Sequence, residues 1–587
     1  MTIARNDLCH CGSGKKYKKC CMQKDEQQEA YALKEERFHE QKEQLVHAVE
    51  RFLMNQVSSD EIRKLEREFT ERADHKRKDA GFAMFWRIFF FRYENGLRGI
   101  EWFWESESHA LRDEMKEMAE RWVKLTPRLL MAVDLKEDVI VYEDIHTKEQ
   151  FPCAKENQGP DLIAWNSTIG LLEPMVDRYY FNGLRGMYGP EELYETYDKV
   201  KSWMTDEGIS YEEALRRYYP EILASLNGKK SPKKDQEALP VTEFTYIYDV
   251  VEPEVASALI QNEPEFTIDH WDERKMNFSW TKNWQEYTDS EAPGVVRIAD
   301  EYASFTWNRV TETITMTAFH LRYVNPMLRK MVESDGAIML REDREKHLGD
   351  LPGAIYKRQS LKVEHGTPKL FGTLAQQRRL IPVDDPILLY GNRSLRGLVE
   401  QGEGHLAERW LKRSENQSHV MLWKDQQDLS VTPDYNAVRR ELGLPLSPFV
   451  TSRESRVTTL ESIESHDERE TVVIEAEVPY YEDLGFTDET KNAFYARDLV
   501  RFYREKVDGK SDSTKRKYKK ALYAIRGALE RKGSYARSWE ELGDGFWTEA
   551  LFEDEEVQAQ YPRLVQFHEF SSVVKALFKW LRSKGLL

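Results

Sequence analysis

A multidomain α+β fold, mainly helical, is what the sequence predicts, and three observations carry it. The chain has 587 residues, more than one hydrophobic core organises, so several domains are expected. Apolar residues recur at helical spacing over residues 25–127 and again over 491–587. Between these regions lie short β-rich runs bounded by turn-forming residues. The expected order is a small metal module at 1–24, a helical bundle at 25–127, and a small β-barrel-like unit with helices at 128–227. A central α+β region at 240–450, an acidic linker at 451–490 and a C-terminal helical domain at 491–587 follow.

Composition narrows the function. Hydrophobic residues make up 40% and charged residues 32%, and 86 Lys+Arg face 103 Asp+Glu for a net charge of −17. That excludes a globally basic nucleic-acid binder while leaving room for a local basic surface. No run approaches the roughly 18 apolar residues of a spanning helix. The nearest, Phe82 to Phe91, carries Arg87. The N-terminus has no apolar signal core. No membrane insertion is expected, and the reading is a cytoplasmic bacterial protein.

Four of the five cysteines fall within thirteen residues, Cys9-His-Cys11-Gly-Ser-Gly-Lys-Lys-Tyr-Lys-Lys-Cys20-Cys21. A secreted disulfide scaffold would spread its cysteines along the chain. One tight cluster points to metal, and four thiolates complete the tetrahedral shell that zinc prefers; iron accepts the same donors. Gly12 and Gly14 supply the positive φ angles of a tight return. Lys15, Lys16, Lys18 and Lys19 offset the thiolate charge and depress the thiol pKa values. His10, between two of the cysteines, could replace one, although four sulfurs already suffice. Cys153 stands alone and reads as a small buried hydrophobe.

The segment resembles the SEC-C motif, C-x-C-G-S-G-x-K-[YF]-K-x-C followed by Cys or His, the metal-binding module at the C-terminus of the SecA translocation ATPase. The resemblance covers about residues 5–24 and implies Cys9, Cys11, Cys20 and Cys21 as ligands. It also implies docking, since the SecA module contacts ribosomes and an export chaperone. Here the module is N-terminal and no ATPase motor follows, so translocation is not implied.

Residues 25–55 read as one long helix, with Ser59 or Asp60 capping the next. The aromatic-rich helix at 80–93 reads as bundle core, and 107–125 supplies a further helix. At residue 128 the period changes: 129–133, 139–142 and 162–165 read as strands, with a hairpin over 138–151, giving a barrel-like unit over 128–185. Helices return at 190–226, and Gly228-Lys-Lys-Ser-Pro-Lys-Lys-Asp-Gln reads as a linker. Strands at 244–248, 295–298 and 311–316 and a helix at 318–334 form the α+β region. A helical pair follows over 385–413, and a strand is expected at 471–475 within the acidic linker. Three amphipathic helices end the chain: one stopped near Gly509, one capped by Ser513 or Thr514 and ended by Gly533, and one over 562–584.

These last helices resemble the core-binding domain of tyrosine recombinases, whose Ser-x-x-Thr-x-x-x-Tyr signature appears as Ser511-Asp-Ser-Thr514-Lys-Arg-Lys-Tyr518. The resemblance implies a helical fold that grips a duplex; with no recombinase catalytic domain following, strand exchange is not expected. Charge is uneven in the same sense. Residues 1–24 carry a net +5 and residues 497–537 a net +9, leaving −31 for the rest. Arg516, Lys517, Lys519 and Lys520 would be the footprint of a DNA or RNA partner.

Catalytic motifs are not found. Gly-Ser-Gly-Lys at 12–15 lacks the first glycine and the Ser/Thr of a phosphate loop, and neither H-E-x-x-H nor G-x-S-x-G occurs. The primary expectation is therefore a non-enzymatic zinc adaptor that docks on a ribosome, nucleoprotein or export partner through Lys15, Lys16, Lys18 and Lys19. The rival is a nucleic-acid-binding regulator acting through the C-terminal helices. A hydrolase in the 240–450 region would need folding to assemble its site.

Overall fold

A computed structural model of the chain describes residues 4–74, 80–136, 138–155, 163–228, 238–320, 323–324, 334, 336–352, 358–464, 472–536, 538–584 and 586–587. Helix accounts for about 50% and strand for 22%, as a mainly helical multidomain α+β fold requires. After the cysteine module come α1 (Met22–Gln56), α2 (Ser59–Arg72), α3 (Ala80–Phe89), α4 (Gly99–Glu107) and α5 (Asp113–Lys124). Strands β1 (Pro127–Leu135), β2 (Val139–Asp144), β3 (Gln150–Ala154), β4 (Ser167–Met175) and β5 (Arg178–Asn182) precede α6 (Pro190–Glu207), α7 (Tyr211–Arg217) and α8 (Tyr219–Leu226). Then follow β6 (Ala238–Val250), α9 (Pro253–Gln261), β7 (Phe266–Trp271), β8 (Lys275–Asp289), β9 (Ala292–Asn308), β10 (Thr313–Ala318), β11 (Ile338–Pro352) and β12 (Arg358–Val363). The remainder holds α10 (Lys369–Arg379), α11 (Leu395–Glu400), α12 (Gly404–Gln426), α13 (Tyr435–Leu442), β13 (Thr458–Ser462) and α14 (Val478–Leu484). The last helices are α15 (Ala496–Val507), α16 (Asp512–Lys532), α17 (Glu555–Gln560) and α18 (Leu564–Ser583).

Several local expectations are corrected. Ser58, not Ser59 or Asp60, caps α2, its hydroxyl accepting from the Glu61 N–H. Ser511, not Ser513 or Thr514, caps α16. Within the 162–165 run, residues 163–165 form a turn rather than a strand, with Trp165 at φ 58°. The strand of the acidic stretch lies at Thr458–Ser462, whereas 472–474 is irregular. Leu162, Thr471, the linker after Gly228, most of the helix expected at 318–334 and Gly585 lie outside the described residues.

The chain separates into two compact units, one of Met1–Glu237, Tyr287–Val296 and Val363–Leu460, the other of Ala238–Glu286, Arg297–Lys362 and Glu461–Leu587. In the first, β1 to β5 close a barrel of order β1-β2-β3-β5-β4, sealed by antiparallel β1–β4 pairing and a parallel β3–β5 contact. The aromatic run of α3 packs as expected: Phe82, Phe85, Trp86 and Phe89 share one apolar core with Trp122 and with barrel residues Leu129, Ile169 and Leu171. Glu173 is fully buried on β4, and its carboxylate accepts from Trp122 Nε1 at 2.8 Å. Burial raises its pKa against the pull of Lys42, Trp122 and Arg121.

The long helix α1 is fastened to β5 of this barrel. Tyr180 Oη donates to Glu35 at 2.7 Å and lies 3.3 Å from Tyr31 Oη, Arg178 covers the Tyr31 ring, and Lys42 Nζ donates to the Phe181 carbonyl. Before Tyr31, every side chain from Met22 to Ala30 is exposed or half-buried. The barrel turn is fastened in turn by α12 and α13. Trp165 Nε1 and Ser447 Oγ donate to the two oxygens of buried Glu415 at 2.7 and 2.6 Å, and Arg439 stands 3.4 Å away. Arg456 and Asp289, both fully buried, form a second ion pair at 2.6 Å, supported by Tyr287 Oη on Asp289.

In the second unit the strands follow period two. Met276, Phe278, Trp280, Ala303, Phe305, Trp307, Ile314, Met316, Tyr246 and Tyr248 form one buried face under Ala256, Leu259 and Ile260 of α9. Asn277, Ser279, Thr281, Ser304, Thr306, Thr315 and Thr317 alternate with them. The edge strand β11 carries charged residues from Arg341 to Lys346 and two register shifts, devices that protect a sheet edge from further pairing. The C-terminal helices enclose a separate core of Leu499, Phe502, Leu522, Ile525, Phe570, Leu577 and Leu581.

Candidate metal centre

Two short backbone devices bring the four cysteines together. Gly12 and Gly14 take φ 74° and 68°, with nothing within 4 Å of a would-be Cβ at either, so left-handed backbone rather than space demands glycine. Leu8 bridges Lys16, Cys9 N–H donates to the Lys15 carbonyl at 2.8 Å, and Gly12 N–H returns to the Cys9 carbonyl. The second pair sits where one 3-10 turn (Tyr17–Lys19) ends and α1 begins: Cys20 closes the turn and Cys21 is the first flanking residue of the helix.

The four sulfurs all lie within 4.8 Å of one another, with Cys11–Cys20 at 3.4 Å and Cys20–Cys21 at 3.8 Å. An ion holding four thiolates at about 2.3 Å in a tetrahedron sets them about 3.8 Å apart. The donors therefore fit a metal ion of this type, and a closed four-sulfur shell leaves no open position for catalysis. The Ser13 hydroxyl stands 3.1 Å from Cys20 Sγ and receives the Lys15 N–H. Hydrogen bonds from Ser13 hold the Cys11 thiol down at about 6, while the crowded sulfurs, Cys9 foremost, push Cys21 up to about 12. Cys11 therefore ionises far more easily than Cys21 in this crowd, and a bound dication removes the conflict. Ser13 is the residue the sequence reading missed; it lies inside the motif, but only the fold puts its hydroxyl on a sulfur.

His10 is not among the converging donors, and its Nε2 stands 4.0 Å from the Asp25 carboxylate. Cys153 is buried in β3, as expected of a lone small hydrophobe. Lys15, Lys16, Lys18 and Lys19 are all exposed and have no ion pair among the described residues. Of the C-terminal cations, Lys519 pairs with Asp483 at 2.6 Å, and Lys520 donates to the Gln560 carbonyl and covers the Tyr561 ring at 4.4 Å. Arg516 and Lys517 are exposed without a partner among the described residues. Arg516, Lys519 and Lys520 are brought together along one groove with Tyr523 and Gln560.

Comparison with known proteins agrees with the local geometry. Residues 5–23 match the SEC-C motif. The chain is similar to "Uncharacterized protein YccF" of Bacillus subtilis (strain 168), at 26% identity over 266 residues, which is 44% of this chain and 72% of that protein. No solved structure matches, and the recombinase likeness of the C-terminal helices finds no support in these comparisons. Among the described residues no helix is long and apolar enough to cross a membrane.

Proposed function

We propose that the protein is a docking adaptor whose N-terminal head is folded around zinc held by Cys9, Cys11, Cys20 and Cys21. The zinc supplies folding energy to a segment too short to have a core of its own. Lys15, Lys16, Lys18 and Lys19, fixed around the ion, present positive charge to a ribonucleoprotein or an acidic protein partner. The observation that supports this reading is the convergence of four sulfurs within 4.8 Å beside four exposed lysines, without an ion pair among the described residues, at the N-terminal end of a 35-residue helix.

The test is elemental analysis followed by affinity capture. One zinc per chain is expected, lost in a Cys20→Ser, Cys21→Ser protein together with the captured partner. A Lys15→Glu, Lys18→Glu, Lys19→Glu protein keeps zinc and loses the partner. Capture that survives both sets of substitutions refutes docking through this head, and absence of metal refutes the zinc assignment.

A further inference from the structure

One exposed face of α16 gathers cations around an aromatic ring. Arg516, Lys519, Lys520 and Tyr523 recur three, four and seven residues apart and line, with Gln560, an open groove of about 480 Å³. Among the described residues no acidic side chain lines it, the nearest carboxylate being that of Asp483 on Lys519. Lys515 and Lys517 flank it, also exposed. We propose that this groove binds single-stranded nucleic acid, the cations taking successive phosphates and Tyr523 stacking one base.

The geometry around Tyr523 selects this occupant. Its ring is 43% exposed, unusual for a tyrosine on a helix that buries Leu522 and Ile525 beside it. One side of the ring is covered: Arg526 lies 4.9 Å from its centroid and donates to the Gly485 carbonyl. A Cβ on Gly485 would come within 2.4 Å of the ring, and Gly485 has φ 75°, so glycine is required there to hold Tyr523 in place. The result is a fixed aromatic platform at one end of a strip of positive charge. A duplex hides its base faces and gains only charge from such a strip, whereas an unstacked base gains the ring as well.

The cations are available. Lys520 is oriented by the Gln560 carbonyl and the Tyr561 ring, and Arg516 has no competing acid among the described residues. Lys519 holds Asp483 in a pair whose partners are 49% and 42% exposed, a contact weak enough to exchange for a phosphate. From Arg516 to Tyr523 the helix rises about 10 Å, the length of two to three nucleotides.

The test uses the full chain and a fluorescein-labelled oligothymidylate of about 20 nucleotides, read by anisotropy. Three phosphate contacts give a log–log salt slope of about −2, so affinity falls roughly 18-fold from 50 to 200 mM salt. Arg516→Glu with Lys520→Glu costs at least tenfold at 50 mM, Tyr523→Ala about tenfold, and Tyr523→Phe restores binding. A duplex of equal length binds more weakly and ignores Tyr523→Ala. No binding at 50 mM salt overturns the proposal, and so does a duplex bound as tightly as the single strand. The Cys20→Ser, Cys21→Ser protein binds the oligonucleotide as the wild type does; loss there would move the site to the N-terminal head and overturn the assignment to α16.

Discussion

His419 lies on α12 among the most buried residues of the first unit, 1% exposed, and among the described residues neither ring nitrogen has a hydrogen bond. Burial pushes its pKa down to about 3, against about 6.5 in an unfolded chain. The unfolded state therefore binds the proton first as pH falls. Stability is unaffected above pH 6.5 and declines below it by about 1.4 kcal/mol per unit, until the folded form also protonates near pH 3. Between pH 7 and pH 5 this one side chain removes about 2 kcal/mol. Leucine at 419 is similar in size, does not titrate and leaves no polar atom unsatisfied. Native-state hydrogen exchange over residues 404–426, corrected for intrinsic rates, reads the opening free energy of α12 without assuming that both units unfold together. The wild type is expected to lose about 2 kcal/mol more than His419→Leu between the two pH values. Equal losses would show that His419 is charged or reaches a partner in the folded chain, and the reasoning from burial would be wrong.

Two further outcomes follow from the packing and the cysteine head. Asp289→Asn leaves the Arg456 guanidinium buried without its counter-charge, and urea unfolding should register a loss of about 3–5 kcal/mol; a loss below about 1 kcal/mol would mean that the pair contributes nothing. Ser13→Ala removes the hydroxyl beside Cys20 and should weaken retention of added zinc, in competition with a chromogenic chelator, by about 10–100-fold, with no change elsewhere in hydrogen exchange.

The cysteine cluster was legible because its four donors fall within thirteen residues, so no long-range folding is needed to see them. The helical cores were legible for a similar reason: Leu499, Phe502 and Val507 mark a face by spacing alone. What escaped the sequence was decided at a distance. Residues 162–165 have strand composition, but Trp165 turns at positive φ because its ring is fixed by Phe449, Lys412 and Glu415, some 250 residues further on. Helix caps were displaced by one to three residues because several serines and aspartates compete, and backbone conformation picks among them. Ser58 and Ser511 adopt the extended φ/ψ from which a side chain can reach back. Tyr523 hides in a run of alanine and leucine; only counting four residues on from Lys519 brings it onto the cationic face.

Because the cysteine head is continuous with α1, its direction is phased by helix geometry. Each residue inserted between the head and the anchor at Tyr31 would swing the lysines about 100° around the axis and advance them 1.5 Å. A single insertion points them away from a partner otherwise reached, whereas four bring them to within about 40° of the original bearing. The turns from Met22 to Ala30 thus act as an angular setting, in which length matters modulo the helical repeat.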